Sequence, residues 1–324
     1  MTALVTGANG FIGGRLAEAL GRDEVVRTLI RRADPASGVA TGDLLDPASL
    51  RTACEGVECV FHCAGYAHAF SSQDPDVHWR VNFEGTRNLL AAAGEAGVRR
   101  FVFLSSVKAM AEPGSACADE DSPGDPATPY GRAKRAAEAA VLEAGAKHGM
   151  HVVNLRLAMV YGKGGRGNLE RMARGIRAGW FPPLPETGNR RSLVHVDDVV
   201  AAMRWVARAP AANGRTYVVA HPDAHSGRAI YDALRVALGM PSARWRMPAA
   251  LLRFGGRLGD VAERLAGRAM PLDSQAVERL LSSAWYSPAR IEEELGWRAM
   301  TGLEAGLREM LAGDRGGADS ECPR

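Results

Sequence analysis

The stretch VTGANGFIGG, residues 5 to 14, stands between a short apolar run and the helix-like RLAEAL, and it constrains the fold more than any other part of the chain. Glycine supports a helix worse than any residue except proline. A helix entered through Gly7, Gly10 and Gly13, in the spacing GxxGxxG, therefore gives up stability for some other gain. Without a Cβ, backbone can approach a ligand or another backbone closely. A helix N-terminus adds unbonded N–H groups and a partial positive charge. Strand, glycine loop and helix in that order read as the first βα unit of a dinucleotide-binding fold, with the pyrophosphate seated over Gly7, Gly10, Phe11, Ile12 and Gly13. A tight strand-to-helix turn is the competing reading of the same residues.

The first half of the chain continues the alternation. ALVTG, VVRTLI, CVFHCAG, RFVFLSS and HVVNLRL are short apolar runs, separated by helix-period segments such as NFEGTRNLLAAAGEAG and GRAKRAAEAAVLEAGAKHG. Such alternation predicts βαβ units and a parallel sheet covered on both faces. The expected fold class is α/β, a doubly wound parallel sheet of the Rossmann type with a smaller, mostly helical substrate-binding lobe. Beyond Gly162 the Gly- and Pro-rich GKGGRGN and WFPPLPETGN lead out of the sheet, and RSLVHVDDVVAAMRWVARA and TYVVA lead back. The lobes are thus expected to interleave, with residues 1–165 and 191–220 in the dinucleotide-binding part and 166–190 and 221–312 in the substrate lobe. The tail 313–324, GDRGGADSECPR, has too few apolar residues to pack and is expected to be disordered.

With 46% apolar residues, 24% charged residues and a net charge of +3, the composition is that of an ordinary globular chain and argues for no nucleic-acid partner. No apolar run approaches the roughly 18 residues of a spanning helix, and no basic-then-apolar leader opens the chain. No membrane partner and a cytoplasmic location are therefore expected. Cys54, Cys59, Cys63, Cys117 and Cys322 show no paired CxxC spacing, so neither disulfides nor a metal site is expected. Cys59 and Cys63 read as small buried hydrophobes.

In dinucleotide folds an acid roughly 20 residues past the glycine loop binds the adenosine ribose 2′-OH, whereas an arginine there suits the 2′-phosphate of NADP. The second strand ends TLIRR, with Arg31 and Arg32 and no acid before Asp34. The cofactor is expected to be NAD or NADP, with NADP favoured.

Tyr130 and Lys134 form YxxxK within TPYGRAKRAAEAA, where Thr128 suits an N-cap and Pro129 the first helical turn. Residues four apart share a helix face. A phenol of pKa about 10 is a poor base at neutral pH, but a neighbouring ammonium and a cationic nicotinamide ring both favour its anion. Ser106 ends the strand RFVFLSS, and ligands of open parallel sheets collect at the carboxyl ends of strands. Its hydroxyl is placed to hold a substrate oxygen beside the tyrosine. His195, in a strand-like segment, reads as a packed, hydrogen-bonded histidine.

At these residues the chain resembles the extended short-chain dehydrogenase/reductase family, in particular its nucleotide-sugar epimerases and dehydratases. VTGANGFIGG, GDLLD, HCAG, VNFEGT, FVFLSSVKA, YGRAK, LRLAMVYG, RRSLVHVDD and EEELGW follow in family order over nearly the whole chain. The resemblance implies that Ser106, Tyr130 and Lys134 are the catalytic set, with Lys134 also at the nicotinamide ribose. It implies further that Asp43 and Leu44 border the adenine, that Ala64 and Gly65 line the cofactor, and that Asn82 steadies the sheet beneath the site. Asp43 reads equally as a turn residue and Asn82 as a helix cap. For a nucleotide-sugar substrate the resemblance places Asn168 and Leu169 near the diphosphate and Arg191 on the phosphates, with Arg190 as competitor.

Two departures from the family pattern stand out. Met159 replaces the asparagine of the usual NVYG, and VKAMA follows the strand serine, so that Lys108 and Met110 are expected to reshape the substrate pocket. A dehydratase needs a carboxylate just after that serine, where Val107 and Lys108 stand. FVFLSSVKA and NRRSLVHVDD resemble most the 4-epimerases and 4-keto-sugar reductases of surface-polysaccharide pathways, and the resemblance implies a UDP-sugar 4-epimerase or a 4-keto-sugar reductase. The alternatives are an NADPH-dependent ketone reductase acting on a sterol- or flavonoid-like substrate, and a non-catalytic cofactor-sensing protein. A homodimer is expected through the Ala-rich helices near residues 78–97 and 129–147.

Overall fold

β1 (Thr2–Thr6), α1 (Phe11–Leu20), β2 (Val25–Ile30), β3 (Ala40–Thr41), α2 (Pro47–Cys54), β4 (Cys59–His62), α3 (Gly85–Glu95) and β5 (Arg100–Ser106) open the chain. β6 (Cys117–Ala118), α4 (Pro129–His148), β7 (His151–Leu157), β8 (Met159–Tyr161), α5 (Asn168–Arg177), β9 (Leu193–His195), α6 (Val196–Val206) and β10 (Arg215–Val219) follow. The chain then runs through α7 (Gly227–Ala237), α8 (Ala249–Ala266), α9 (Ser274–Leu281), β11 (Trp285–Tyr286), α10 (Ala289–Leu295) and α11 (Leu303–Ala312). The structure is a computed structural model that describes residues 1–31, 40–66, 76–165, 167–266 and 273–312. Arg32, Cys322 and the tail 313–324 thus lie outside the described residues.

Seven strands pair in parallel in the order β10-β7-β5-β4-β1-β2-β3, a doubly wound Rossmann-like sheet, with a helical region toward the C-terminus. The strand runs are mostly apolar because both sheet faces are covered. Side chains alternate across the sheet. Ala3, Val5, Phe61, Val102 and Leu104 pack on one face with Leu16 and Leu20 of α1 and Val199 and Met203 of α6. Leu4, Val60, Phe101 and Phe103 pack on the other with Leu50 of α2, Leu89 of α3 and Val141 of α4.

The order reverses between β1 and its neighbours β2 and β4, so the crevice at their carboxyl ends is where a doubly wound sheet takes its ligand. The glycine loop leaves β1 there and Ala64–Gly65 leaves β4. A separate core of Tyr161, Leu169, Ile176, Leu184, Tyr231, Leu234, Val277 and Leu307 draws on α5, α7, α9 and α11. The two-residue strands β6 and β11 pair and bind the C-terminal part back to the sheet region. Among the described residues no helix is long and apolar enough to cross a membrane.

Two of the three loop glycines answer to the protein itself. A Cβ on Gly13 would lie 2.3 Å from the carbonyl oxygen of Gly7, and one on Gly7 would lie 2.7 Å from the Ala64 nitrogen. Gly7 also has φ +70°, which a side chain disfavours. These residues let α1 close on the loop and the loop close on the β4 exit. Gly10 meets only the Gly7 oxygen, at 3.0 Å. The turn reading is therefore met by Gly7 and Gly13, while Gly10 is less tightly constrained by the protein. Gly13→Ala is expected to push α1 off the loop, to destabilise the fold by about 1–3 kcal/mol and to weaken dinucleotide binding. Thermal melting with and without NAD measures both effects.

Candidate active site

The N-terminus of α1 is free to receive an anion. Its N-cap, Gly10, is extended, has no side-chain cap and is followed by no acid in the first turn. Beneath it, Thr6 accepts a hydrogen bond from the Ala64 N–H at 3.1 Å. His62 lies 2.7 Å from the Thr6 hydroxyl through Nδ1 and 3.0 Å from the Thr86 hydroxyl through Nε2. Thr86 donates its own proton to the Asn82 carbonyl at 2.7 Å, so it accepts from His62 and the imidazole carries its proton on Nε2. Burial, with the Lys134 charge adding to it, drives the His62 pKa down to about 3.

Asn82, in a π-helical turn (Trp79–Glu84) ahead of α3, clamps the next stretch. Its Oδ1 accepts from Tyr66 N at 2.7 Å and its Nδ2 donates to the Tyr66 carbonyl at 2.9 Å. A Cβ on Gly65 would lie 2.9 Å from Asn82 Oδ1 and 3.5 Å from Lys134 Nζ, so a glycine here lets the lysine reach the β4 exit.

Tyr130 is placed by the start of α4. Thr128 accepts from Gly131 N at 3.0 Å, as the N-cap expectation requires. A Cβ on Gly131 would lie 2.1 Å from the Lys108 carbonyl, so only glycine lets the helix start sit against the turn that follows Ser106. That contact brings the Tyr130 phenol to the Ser106 hydroxyl. The Tyr130 pKa lies above its ordinary value because burial penalises the phenolate, and Ser106 partly opposes the shift. The ring of His78 stands edge-on to Tyr130 at 5.7 Å.

The expectation that Lys134 lowers this pKa is not met in the protein alone. Its ammonium donates to the Leu104 carbonyl at 2.7 Å and lies 4.5 Å from the centre of the Phe103 ring. Burial lowers the Lys134 pKa to about 8, with the Glu138 carboxylate opposing the shift. Glu138 is itself buried and is held by Arg156 through contacts of 2.7 to 3.2 Å, with the Ser105 hydroxyl donating to it. Neither Glu138 nor Arg156 figured among the sequence candidates. The readable signal was the row Tyr130, Lys134, Glu138 at four-residue steps along one helix face.

Glu138→Gln should therefore lower the Lys134 pKa by roughly one unit or more. It should also cost about 3 kcal/mol of stability through the unpaired Arg156. The alkaline limb of the pH–rate profile would move to lower pH, and a profile that stayed in place would dissociate Glu138 from the lysine.

The remaining candidates divide. Asp43 Oδ1 accepts from Leu45 N at 2.9 Å, a turn contact, and the carbonyl of the buried Leu44 accepts from Asn88 at 2.9 Å. Arg31 is exposed at the end of β2 and carries no hydrogen bond among the described residues. Lys108 turns to Glu112 at 2.8 Å, and Met110 is buried with Val107, Ala118 and Val218, so neither reshapes a pocket as expected. Core packing claims the methionine and an exposed ion pair the lysine.

Asn168 is exposed at the first turn of α5. The Leu169 side chain packs in the C-terminal core, which leaves only its backbone for a ligand. Arg191 Nη1 donates to the carbonyls of Arg279 at 2.5 Å and Ser282 at 3.0 Å, while Arg190 lies 4.4 Å over the Trp285 ring. His195 is buried, with Asp197 N donating to its Nδ1 at 3.4 Å and with Nε2 unbonded among the described residues. The Cys59 and Cys63 thiols are pushed up to about 12 by burial, as inert hydrophobes would be.

A carboxylate not foreseen from the sequence lies at the start of α5. Among the described residues both Glu170 oxygens are buried without a hydrogen bond of good geometry, and a Cβ on Gly165 would lie 2.1 Å from Oε1. Burial raises its pKa, against the nearby N–H groups of Glu170 itself and Gly167.

Residues 3–220 match the model of the NAD dependent epimerase/dehydratase family. The chain is 29% identical to UDP-glucose 4-epimerase of Vibrio cholerae over 94% of its own length and 93% of the relative's. It is also 29% identical to 2-alkyl-3-oxoalkanoate reductase of Stenotrophomonas maltophilia (strain K279a), over 96% and 99%. Among solved structures it resembles the Thermus thermophilus UDP-glucose 4-epimerase complex with NAD, with a TM-score of 0.74, 27% identity and coverage of 98% and 100%.

Proposed function

Because the chain belongs to the NAD dependent epimerase/dehydratase family, we propose that it is an NAD-dependent enzyme acting at C4 of a nucleotide-activated sugar, as a UDP-sugar 4-epimerase or a 4-keto-sugar reductase. The observation that carries this reading is the meeting of the Tyr130 phenol and the Ser106 hydroxyl at the end of β5, one helical turn from the buried Lys134.

The glycine loop fits a dinucleotide, since Gly10 leaves its helix uncapped and without an acid. The N–H groups of Phe11 and Ile12 would hold the pyrophosphate, Asp43 and Leu44 the adenine side, Ala64 and Gly65 the middle, and Lys134 the ribose. When bound, the dinucleotide supplies a hydride acceptor or donor and, oxidised, a ring charge that favours the phenolate. Ser106 orients the substrate oxygen by donating to it, and Tyr130 Oη takes up or returns that oxygen's proton. Lys134, one helical turn along from the phenol, stays charged below about pH 8.

NAD is the proposed cofactor. The expectation of NADP rested on Arg31 and Arg32, and the likeness to an NAD dependent family and to an NAD complex does not support it. An exposed arginine at a strand end is satisfied by water and needs no phosphate. A homodimer through α3 and α4 belongs to the same proposal, and sedimentation tests it.

A second reading, a ketone reductase for an apolar substrate, is favoured by two observations. Glu170 sets a carboxylate at the N-terminus of α5, where a substrate diphosphate was expected, and Arg191 spends one amino group on backbone carbonyls. Three assays separate the readings. Interconversion of UDP-glucose and UDP-galactose by protein with bound NAD supports the epimerase, and stoichiometric NADH use with a 4-keto sugar the reductase. Turnover of a 2-alkyl-3-oxoalkanoate with neither sugar accepted would replace both.

A further inference from the structure

The outward face of α8 carries an apolar stripe that no other described residue covers. Leu251, Phe254, Leu258 and Val261 are 56, 58, 54 and 49% exposed. At about 100° per residue their spacing aligns them along one side of the helix. Arg253, Arg257 and Arg264, also exposed, form a second row along one edge of the stripe. Exposed Arg244, Trp245 and Arg246 lead directly into the helix. Among the described residues of α8, the exposed side chains larger than alanine are these apolar groups and arginines alone. Asp260 and Glu263 are half-buried, and Asp260 is bonded to the Ser274 N–H at 2.9 Å. The nearby exposed acid Glu278 already pairs with Arg253 at 2.9 Å.

The inner side of the helix is anchored, so the stripe is not poised to fold inward. Leu252 is buried, and Gly256 lies so close to α9 that a Cβ would come 3.0 Å from Val277. Arg228 donates to the carbonyls of Leu184, Ala243 and Trp245 at 3.2, 2.5 and 3.0 Å, fixing the segment that enters α8. Met247 N donates to the Pro183 carbonyl at 2.9 Å.

We propose that α8 docks the protein on an anionic lipid bilayer, with the apolar stripe in the headgroup–acyl boundary and the arginine row on lipid phosphates. The charge pattern selects this occupant over a second copy of the chain. An isologous contact sets a patch against itself, and among the described residues of α8 no exposed carboxylate stands beside the arginines, since Asp260 and Glu263 are half-buried. The expectation of no membrane partner came from the missing spanning helix, a criterion that does not reach a helix lying in the surface plane.

Co-sedimentation of the full chain with phosphatidylcholine vesicles, with and without phosphatidylglycerol, tests the assignment. The protein is expected to pellet with the anionic vesicles about 100-fold more tightly than with the neutral ones and to be released by salt. Phe254→Asp with Leu258→Asp should abolish pelleting. Arg253→Gln with Arg257→Gln and Arg264→Gln should remove the preference for anionic lipid while NAD binding and thermal melting stay as in the parent. Absence of pelleting with anionic vesicles overturns the proposal. So does self-association that the aspartate variant dissolves without any vesicle binding, which would make the face a contact between copies.

Discussion

Tyr130→Phe is expected to lower turnover about 10³- to 10⁴-fold while leaving NAD binding intact. The substitution removes only the hydroxyl, and the ring keeps its edge-on packing with His78 at 5.7 Å. Ser106 keeps a proton to donate but loses the base beside it, so the substrate oxygen is held and not deprotonated. Ser106→Ala should cost less, about 10²-fold, because the phenol survives. The Tyr130 pKa lies above its ordinary value in the protein alone, for burial outweighs the help from Ser106. Turnover in the oxidising direction, which needs the phenolate, should therefore rise with pH. Rapid-mixing measurement of nicotinamide absorbance separates binding from turnover, and a Phe variant as fast as its parent would remove this chemistry from Tyr130.

Acid should unfold the protein through His62. The imidazole stays neutral in the folded state down to about pH 3, against an ordinary value of 6.5. Between those limits the unfolded chain binds a proton that the folded protein does not, so stability falls as pH drops from 6.5 and the His62 effect levels off below 3. The full shift corresponds to roughly 4 to 5 kcal/mol, a large part of the stability of a typical domain. Denaturant midpoints followed downward from neutral pH should slope steeply in the parent and much less in His62→Gln. Equal slopes would place the acid sensitivity elsewhere. Because His62 also links Thr6, Thr86 and Asn82, its variant should loosen the Ala64–Tyr66 backbone and weaken NAD binding at neutral pH.

The long, two-face-buried strands and the fold class were legible because each carries its own apolar run. β3, β6 and β11 were not, since two residues contain no period and their pairing depends on what lies alongside. Tyr130 and Lys134 could be read from one helix face, as could the strand-end serine. Glu138 stands one helical step beyond Lys134 on the same face, yet a glutamate on an Ala-rich helix reads as solvent-facing until β7 delivers Arg156 beneath it. Lys108 and Met110 misled because their neighbours in space, Glu112 and Val218, decide where they turn.

Local sequence by itself determined the long strands and the helices between them, where the uncapped helix end lies, and that a phenol, an ammonium and a hydroxyl were available to it. Backbone propensity and hydrophobic period act over a few residues and need nothing distant. Tertiary structure alone decided that Gly131 must be bare to seat Tyr130 on Ser106, that the lysine charge is spent partly on the Leu104 carbonyl, and that α8 turns an apolar stripe to the outside. Those outcomes depend on contact and burial between residues far apart in the chain, and burial is what moves the pKa values on which the chemistry runs.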